Sequence, residues 1–284
     1  MEAQWKCCTP VLASLLVLTL SAGVHSLTAQ QPASAPDSTA SQGQSDPLAD
    51  LSPENRALFD ALRNAAQQGD DAGAFASGKK LLPVLKPNTR LWNFVTQVTA
   101  GSALEMGDAA YAISLLKPFT EVNPEDWRAA SLLARSYAET GAKVLRDQQI
   151  ARVIALHNKT KDPDFAKLHI FPIQKVKLHS GFAIFLYPFE PEGKFNIHLV
   201  ALVYTSDGKE SFRIQLESDD ADQAFFKPKH PGERRFSIDT YSPGTDGKAG
   251  ETQALHGFLD GVFDYDVMRD RMVDVANGGQ SPNK

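Results

Sequence analysis

Apolar residues recur at helical spacing along the first half of the chain and at alternating positions along the second half. Near the middle of the helical part, four apolar positions at i, i+3, i+4 and i+7 form one stripe: Ala130, Leu133, Ala134 and Tyr137. From residue 176 onward apolar and polar residues alternate, and residues 182–187 (FAIFLY) form a continuous apolar run of strand length. The pattern predicts an α+β chain in which helices come first and strands follow.

The helical part is punctuated at regular intervals by glycine and proline. Gly69, Gly107 and Gly141 each separate two apolar-periodic segments and lie 38 and 34 residues apart. A period in this range is typical of helical repeats, so we predict three helical hairpins. Ser52-Pro53 and Asn123-Pro124 both carry the signature of a helix start, a capping side chain followed by proline.

These residues resemble the tetratricopeptide repeat family, a 34-residue helix-turn-helix unit. The third hairpin has Leu133, Ala134 and Tyr137 where the family has Leu, a small residue and Tyr before its turn. The second has the turn glycine, a small residue and the terminal proline, at Gly107, Ala112 and Pro124. The resemblance covers residues 52–160 and implies a stack of hairpins with a concave groove. An irregular array or an unrelated all-α hairpin stack is the alternative.

The second half is predicted to be an antiparallel meander of about five strands with a closing helix. Asp207-Gly208 is a tight-turn dipeptide between two alternating segments and indicates a β-hairpin. Further on, residues 236–240 and 252–259 have strand character. Asp266 is a candidate cap for a last helix, although Asp260-Gly261 also permits a hairpin there.

The chain ends differ from these two parts. Residues 11–20 are an apolar run followed by small residues, which predicts a secretory signal peptide over residues 1–29, with a membrane anchor as the alternative. Residues 30–50 are rich in Ser, Ala, Gln and Pro and are predicted to be a disordered linker. The predicted domains are then 51–163 (helical repeats) and 164–278 (antiparallel β), with a disordered tail at 279–284.

Composition narrows the classes of function. Both cysteines, Cys7 and Cys8, precede the apolar run, so the predicted mature chain has no disulfide. The net charge of −5 disfavours nucleic acid and anionic membrane surfaces as partners. We therefore expect an exported protein, periplasmic or extracellular, without an integral membrane segment after signal cleavage.

The sequence lacks the common catalytic and metal-binding motifs. It contains no G-x-S-x-G, no glycine-rich phosphate loop and no H-E-x-x-H. His179 and His198 lie on predicted strands and would have to meet in space to form a metal site. Asp219, Asp220 and Asp222 cluster in a loop without the spacing of a calcium site. We predict neither an enzyme nor a cofactor.

One pattern of charged residues points to a binding surface. Arg56 and Arg63 in the first hairpin, and Arg128 and Arg135 in the third, are seven residues apart and hold the same positions relative to the turn glycine. Residues seven apart share a helix face. The family resemblance implies that this face lines the groove, with Phe94 and Gln97 between the two pairs. Arginines bind carboxylates, so an acidic peptide or C-terminus of another protein is the expected partner.

The sequence thus predicts a non-catalytic, protein-binding adaptor. Ordinary exposed arginines, with Asp60 or Glu139 nearby, are the simpler interpretation of the same four residues. A small-ligand binder or hydrolase that uses the β domain is the first alternative function, and a pocket lined by Phe182, Phe185 and Tyr187 with the two histidines would favour it. A structural component of the cell envelope is the second alternative.

Overall fold

A computed structural model of the chain describes residues 48–189, 196–218, 233–243, 249–260 and 264–278. The predicted signal peptide, most of the linker, the tail and the aspartate cluster at 219–222 lie outside these ranges. The fold is α+β, as predicted: a series of helices, an antiparallel sheet and a closing helix. Within the described ranges, no helix combines the length and apolar character needed to cross a membrane.

Six long helices occupy the first part of the described chain. They are α1 (Pro53–Gln68), α2 (Asp71–Leu81), α3 (Arg90–Glu105), α4 (Ala109–Val122), α5 (Trp127–Glu139) and α6 (Lys143–His157). A short 3-10 turn, Leu82–Val84, follows α2, and a single helical turn, α7 (Pro163–Ala166), follows α6. Gly69, Gly107 and Gly141 all adopt left-handed backbone conformations between consecutive helices, with φ between 70° and 85°. A residue without a β-carbon adopts this conformation at little cost, which explains the regular glycines.

The helix starts confirm one of the two predicted cap signatures. Ser52 accepts a hydrogen bond from the Asn55 backbone N–H (3.2 Å) at the start of α1, as predicted. Asn123 was predicted to start a helix and instead ends α4, because its backbone N–H and its amide both donate to Phe119 O. The next helix starts at Trp127, where Asp126 accepts from Ala129 N–H (3.0 Å). Asn123 and Asp126 were both possible caps, and the aspartate caps the helix.

The sheet is a simple meander with six strands, rather than about five. The strands are β1 (Ile170–Lys177), β2 (Gly181–Pro188), β3 (Asn196–Thr205), β4 (Glu210–Ser218), β5 (Glu233–Pro243) and β6 (Ala249–Asp260), and each pairs antiparallel with the next. The predicted hairpin at Asp207-Gly208 joins β3 to β4, with Gly208 at φ 82°. The closing helix α8 (Tyr265–Ala276) is confirmed, but Asp264 caps it through Val267 N–H (3.1 Å), and Asp266 does not.

The chain divides into two compact units, and the first ends at Leu132 while the second begins at Leu133, within α5. In the first unit, apolar side chains of the first three helices form a core that includes Leu62, Leu81 and Val95, each fully buried. In the second unit, one sheet face carries Phe185, Leu199, Ile214 and Ile238, all at most 2% exposed. The change from helices to strands lies between α7 and β1, but the predicted domain boundary at residues 163 and 164 remains a prediction.

Candidate functional site

The predicted binding residues on α1 lie on one side of that helix. Arg56 is exposed, and its Nη2 donates to the carbonyl of Leu48 (2.8 Å). Arg63 is partly exposed and pairs with Asp60 one turn earlier (3.4 Å). Between them in the helical register is Phe59, which is 7% exposed. An exposed ion pair of this kind contributes about 0–1 kcal/mol, so Arg63 is held only weakly by its own helix.

An aromatic contact links this side of α1 to α3, and a hydrogen bond links α3 to the residue that caps α5. The rings of Phe59 and Phe94 meet edge to face, with centroids 5.8 Å apart. One turn further along α3, Gln97 Nε2 donates to Asp126 Oδ2 (2.7 Å). Phe94 and Gln97 are both half-buried. The structure therefore joins the two middle residues of the predicted site to the helices on either side of α3.

Two polar atoms near these contacts have unused hydrogen-bonding capacity. Asn93, four residues before Gln97 and on the same face of α3, has a buried Oδ1. Arg128, two residues after Asp126, has a buried Nε and a guanidinium 4.6 Å above the Trp127 ring. Within the described part of the chain, neither atom has a hydrogen-bond partner. Buried polar atoms without partners are rare, since each costs about 1–3 kcal/mol.

Arg135 differs from the other predicted arginines. It is only 6% exposed and belongs to the second unit, whereas Arg56, Arg63 and Arg128 belong to the first. Its equivalence to Arg63 therefore holds in sequence register and fails in exposure. Every residue from 129 to 138 is buried, so this part of α5 has no solvent-facing side. The seven-residue spacing of the arginines could not indicate this burial.

The second unit contains a cavity that the sequence indicated only in part. It has a volume of about 420 Å³, and its lining includes Tyr187 and His198. Phe185 is fully buried, while Phe182 and His179 line a separate surface depression near the β1–β2 turn. The cavity is thus bounded by one of the two predicted histidines and one of the three predicted aromatic residues.

The two histidines do not meet. In the register of β2 and β3, Gly181 is opposite Thr205 and Leu186 is opposite Val200. His179 precedes the first pair and His198 lies two residues beyond the second. At least seven residue positions therefore separate them along the strand pair, about 23 Å at about 3.3 Å per residue. The described residues contain no cluster of three or more metal-ligating side chains arranged to hold an ion.

A buried ion network lies beside the cavity, and no sequence pattern indicated it. Asp266 Oδ1 accepts from Arg146 Nη1 and Arg269 Nη1, both at 2.9 Å, and Asp266 Oδ2 is 3.1 Å from Lys143 Nζ. The side chains of Arg146 and Asp266 are 3% and 9% exposed. Burial acts to raise the pKa of Asp266, but hydrogen bonds from Arg146 and Lys143 outweigh it and hold that pKa below its ordinary value.

The network extends from α8 to the first strand and the end of α5. The Tyr265 hydroxyl donates to Gln174 Oε1 (3.2 Å), which also accepts from Arg269 Nη1 (3.1 Å). Arg146 lies 4.4 Å above the Tyr265 ring. Burial, opposed by the nearby arginines, raises the pKa of Tyr265, so its hydroxyl stays protonated and donates. These contacts position α6 and α8, whose side chains form part of the cavity wall.

Comparison with protein-family models, with curated proteins and with solved structures finds no match to this chain.

Proposed function

We propose that this protein is an exported, non-catalytic adaptor that holds an acidic peptide segment of another protein against the first helices of its hairpins. The observation that supports this most is the pair of buried, unsatisfied atoms, Asn93 Oδ1 and Arg128 Nε, near the Gln97–Asp126 bond. Once the two side chains turn toward a bound peptide, it supplies what both atoms need, because its N–H groups donate and its carboxylates accept.

The neighbouring residues give this surface the means to select an acidic segment. Arg56 and Arg63 are solvent-accessible, and their present partners are a carbonyl and an exposed carboxylate. A ligand carboxylate in a bidentate pair is a stronger partner than either. Phe94 is half-buried and offers an apolar contact between the charged ends of the surface. We define the adaptor surface as Arg56, Arg63, Asn93, Phe94, Gln97 and Arg128.

The experiment is a selection of peptides from a displayed random twelve-residue library on the full chain lacking residues 1–29. Enrichment of Asp and Glu, and fluorescence anisotropy of one labelled selected peptide, measure the preference and the affinity. We expect Arg128→Ala and Arg56→Ala each to weaken binding about 10-fold, as the loss of a charge-assisted hydrogen bond predicts. We also expect them to reduce the dependence of binding on salt.

Lys117→Ala is the matched control, since it removes one exposed positive charge from α4, outside the adaptor surface. Its binding should equal that of the wild type. A library without acidic enrichment, or equal losses for Lys117→Ala and Arg128→Ala, would contradict the proposed function.

A further inference from the structure

The cavity in the second unit has the size and the walls of a small-molecule site. Its volume of about 420 Å³ falls within the usual range for ligand pockets, about 300–1,000 Å³. Side chains from α6, α8 and three strands enclose it. The apolar part of the wall consists of Ile150, Ala151, Ile154, Leu199, Leu216 and Met268. Such a wall fits the hydrocarbon or aromatic body of a ligand.

The charged part of the wall is negative. Asp147 and Asp264 both line the cavity, and no Lys or Arg is among the described residues that do so. Asp147 accepts from Arg146 through Oδ1 alone (2.8 Å from both Nε and Nη2), and its side chain is 59% exposed. Asp264 uses Oδ1 to cap α8 and is exposed. Each carboxylate therefore presents a second oxygen for which no bond is made within the described part of the chain.

The nearby cations do not line the cavity and already have carboxylate partners. The guanidinium of Arg146 is 3% exposed, bonded to Asp147 and Asp266 and stacked on Tyr265. Lys143 and Arg269 are both paired with Asp266. An anionic ligand would consequently meet two carboxylates without a free positive partner, and its burial would be costly. A cationic ligand, by contrast, would find two carboxylates with which to pair.

Two further wall residues suit a cation. Tyr187 contributes an aromatic ring, whose face attracts an ammonium group. Burial, together with the charge of Asp147, raises the pKa of Tyr187, so its hydroxyl remains a neutral donor near the carboxylate. His198 is the remaining polar wall residue and is half-buried.

We propose that this cavity binds a small organic cation, an amine with an apolar or aromatic body, whose ammonium group pairs with Asp147 and Asp264. The body then lies against the apolar wall between α6 and the sheet. The site is separate from the adaptor surface, which belongs to the first unit.

The test uses tryptamine as the probe, with two near-isosteres: tryptophol, which replaces the amine by a hydroxyl, and indole-3-acetate, which replaces the terminal aminomethyl group by a carboxylate. Isothermal titration calorimetry on the full chain lacking residues 1–29 measures the three affinities. We expect tryptamine to bind, tryptophol to bind about 10-fold more weakly, and indole-3-acetate to give no heat, because tryptamine alone brings a positive charge to the carboxylates, tryptophol is neutral and the acetate is repelled.

Two variants, each with a control, test whether tryptamine binds in this cavity. Ala151 is exposed and lines the cavity, so Ala151→Trp fills the entrance without disturbing a buried position and should abolish tryptamine binding. Ala155→Trp, on the same helix and outside the lining, is its control. Asp147→Asn should weaken binding about 5-fold or more, whereas Asp164→Asn, at an exposed aspartate paired with Lys167, should not.

Three outcomes would overturn the proposal. They are no tryptamine heat at millimolar concentration, equal binding of tryptamine and indole-3-acetate, and tryptamine binding that survives Ala151→Trp. Failure of the peptide selection on the adaptor surface leaves all three measurements unaffected, so the two proposals are tested separately.

Discussion

The two compact units of this chain are stabilised by different kinds of interaction. In the first unit, each of the helices α1 to α3 contacts the next along the chain, and apolar and aromatic contacts stabilise the unit, such as Trp92 stacked on Phe119 at 5.5 Å. In the second unit, Arg146 and Asp266 meet in a buried ion pair across 120 residues of sequence. The first unit thus depends on neighbouring segments, whereas the second includes a contact between residues that precede and follow the whole sheet in the chain.

This difference changes what a substitution costs. A deleted core side chain in the first unit removes apolar contact and leaves a cavity, a loss that neighbouring helices can reduce by relaxing. Deleting the Asp266 carboxylate in the second unit leaves the buried Arg146 guanidinium without its buried partner, and relaxation cannot hydrate it fully. The comparison predicts separate stability effects that can be measured unit by unit.

The largest expected effect follows from Asp266→Ala. Removing one partner of a buried pair typically costs about 3–5 kcal/mol, and here Arg146 would retain only the exposed Asp147. Native-state hydrogen exchange should show faster exchange of β1 and β2 amides, while α3 amides keep their protection. Asp274→Ala, an exposed aspartate on the same helix, is the control and should change neither. Equal exchange rates in Asp266→Ala and the wild type would contradict a stabilising role of the ion network.

A smaller, reciprocal effect is expected for Leu62→Ala in the first unit. Leu62 is fully buried in the core against which Trp92 packs, and truncation of such a leucine costs about 2–5 kcal/mol, at the lower end where helices relax. Trp92 and Trp127 both lie in the first unit, so urea unfolding followed by tryptophan fluorescence reports on it. Protection of the β1 and β2 amides should not change. Loss of protection in both units would show that they unfold together and would contradict separate stability effects in the two units.

The smallest effect concerns pH. Because the pKa of Asp266 is lowered in the folded state, its stabilising effect is present above the ordinary carboxyl value of about 3.9 and is lost as the pH falls through the lowered value. Urea unfolding from pH 6 to pH 2, followed by circular dichroism at strand wavelengths, should show a decline below about pH 4. Asp266→Asn should have a shallower decline over the same range. An identical acid slope in both proteins would contradict the assignment.

Several elements could be predicted from the sequence because their causes are local. The three turn glycines, the Ser52 cap and the β3–β4 hairpin each depend on a few adjacent residues, and all are confirmed. The start of α5 was predicted wrongly because Asn123 and Asp126 are both good caps, and only the packed chain selects between them. The adaptor surface was predicted from register alone, and its function remains a prediction.

Contacts between residues far apart in the sequence could not be predicted from local sequence patterns. Gly78, within α2, is a position that a helical pattern leaves unexplained, yet a β-carbon there would collide with the Thr99 side chain of α3. Arg135 shares its register with Arg63, and only packing decides that one is buried and the other partly exposed.

Most helical and strand segments, their order and most of their turns could be predicted from the amino-acid pattern, because hydrophobic spacing and backbone preference act over a few residues. The tertiary structure alone decided that Asp266 is the centre of a buried ion network, that His179 and His198 are kept apart, and that a cavity opens beside α6 and α8. Each of these depends on the direction in which distant segments pack. That direction follows from the sum of many weak contacts and is encoded in no single stretch of the chain.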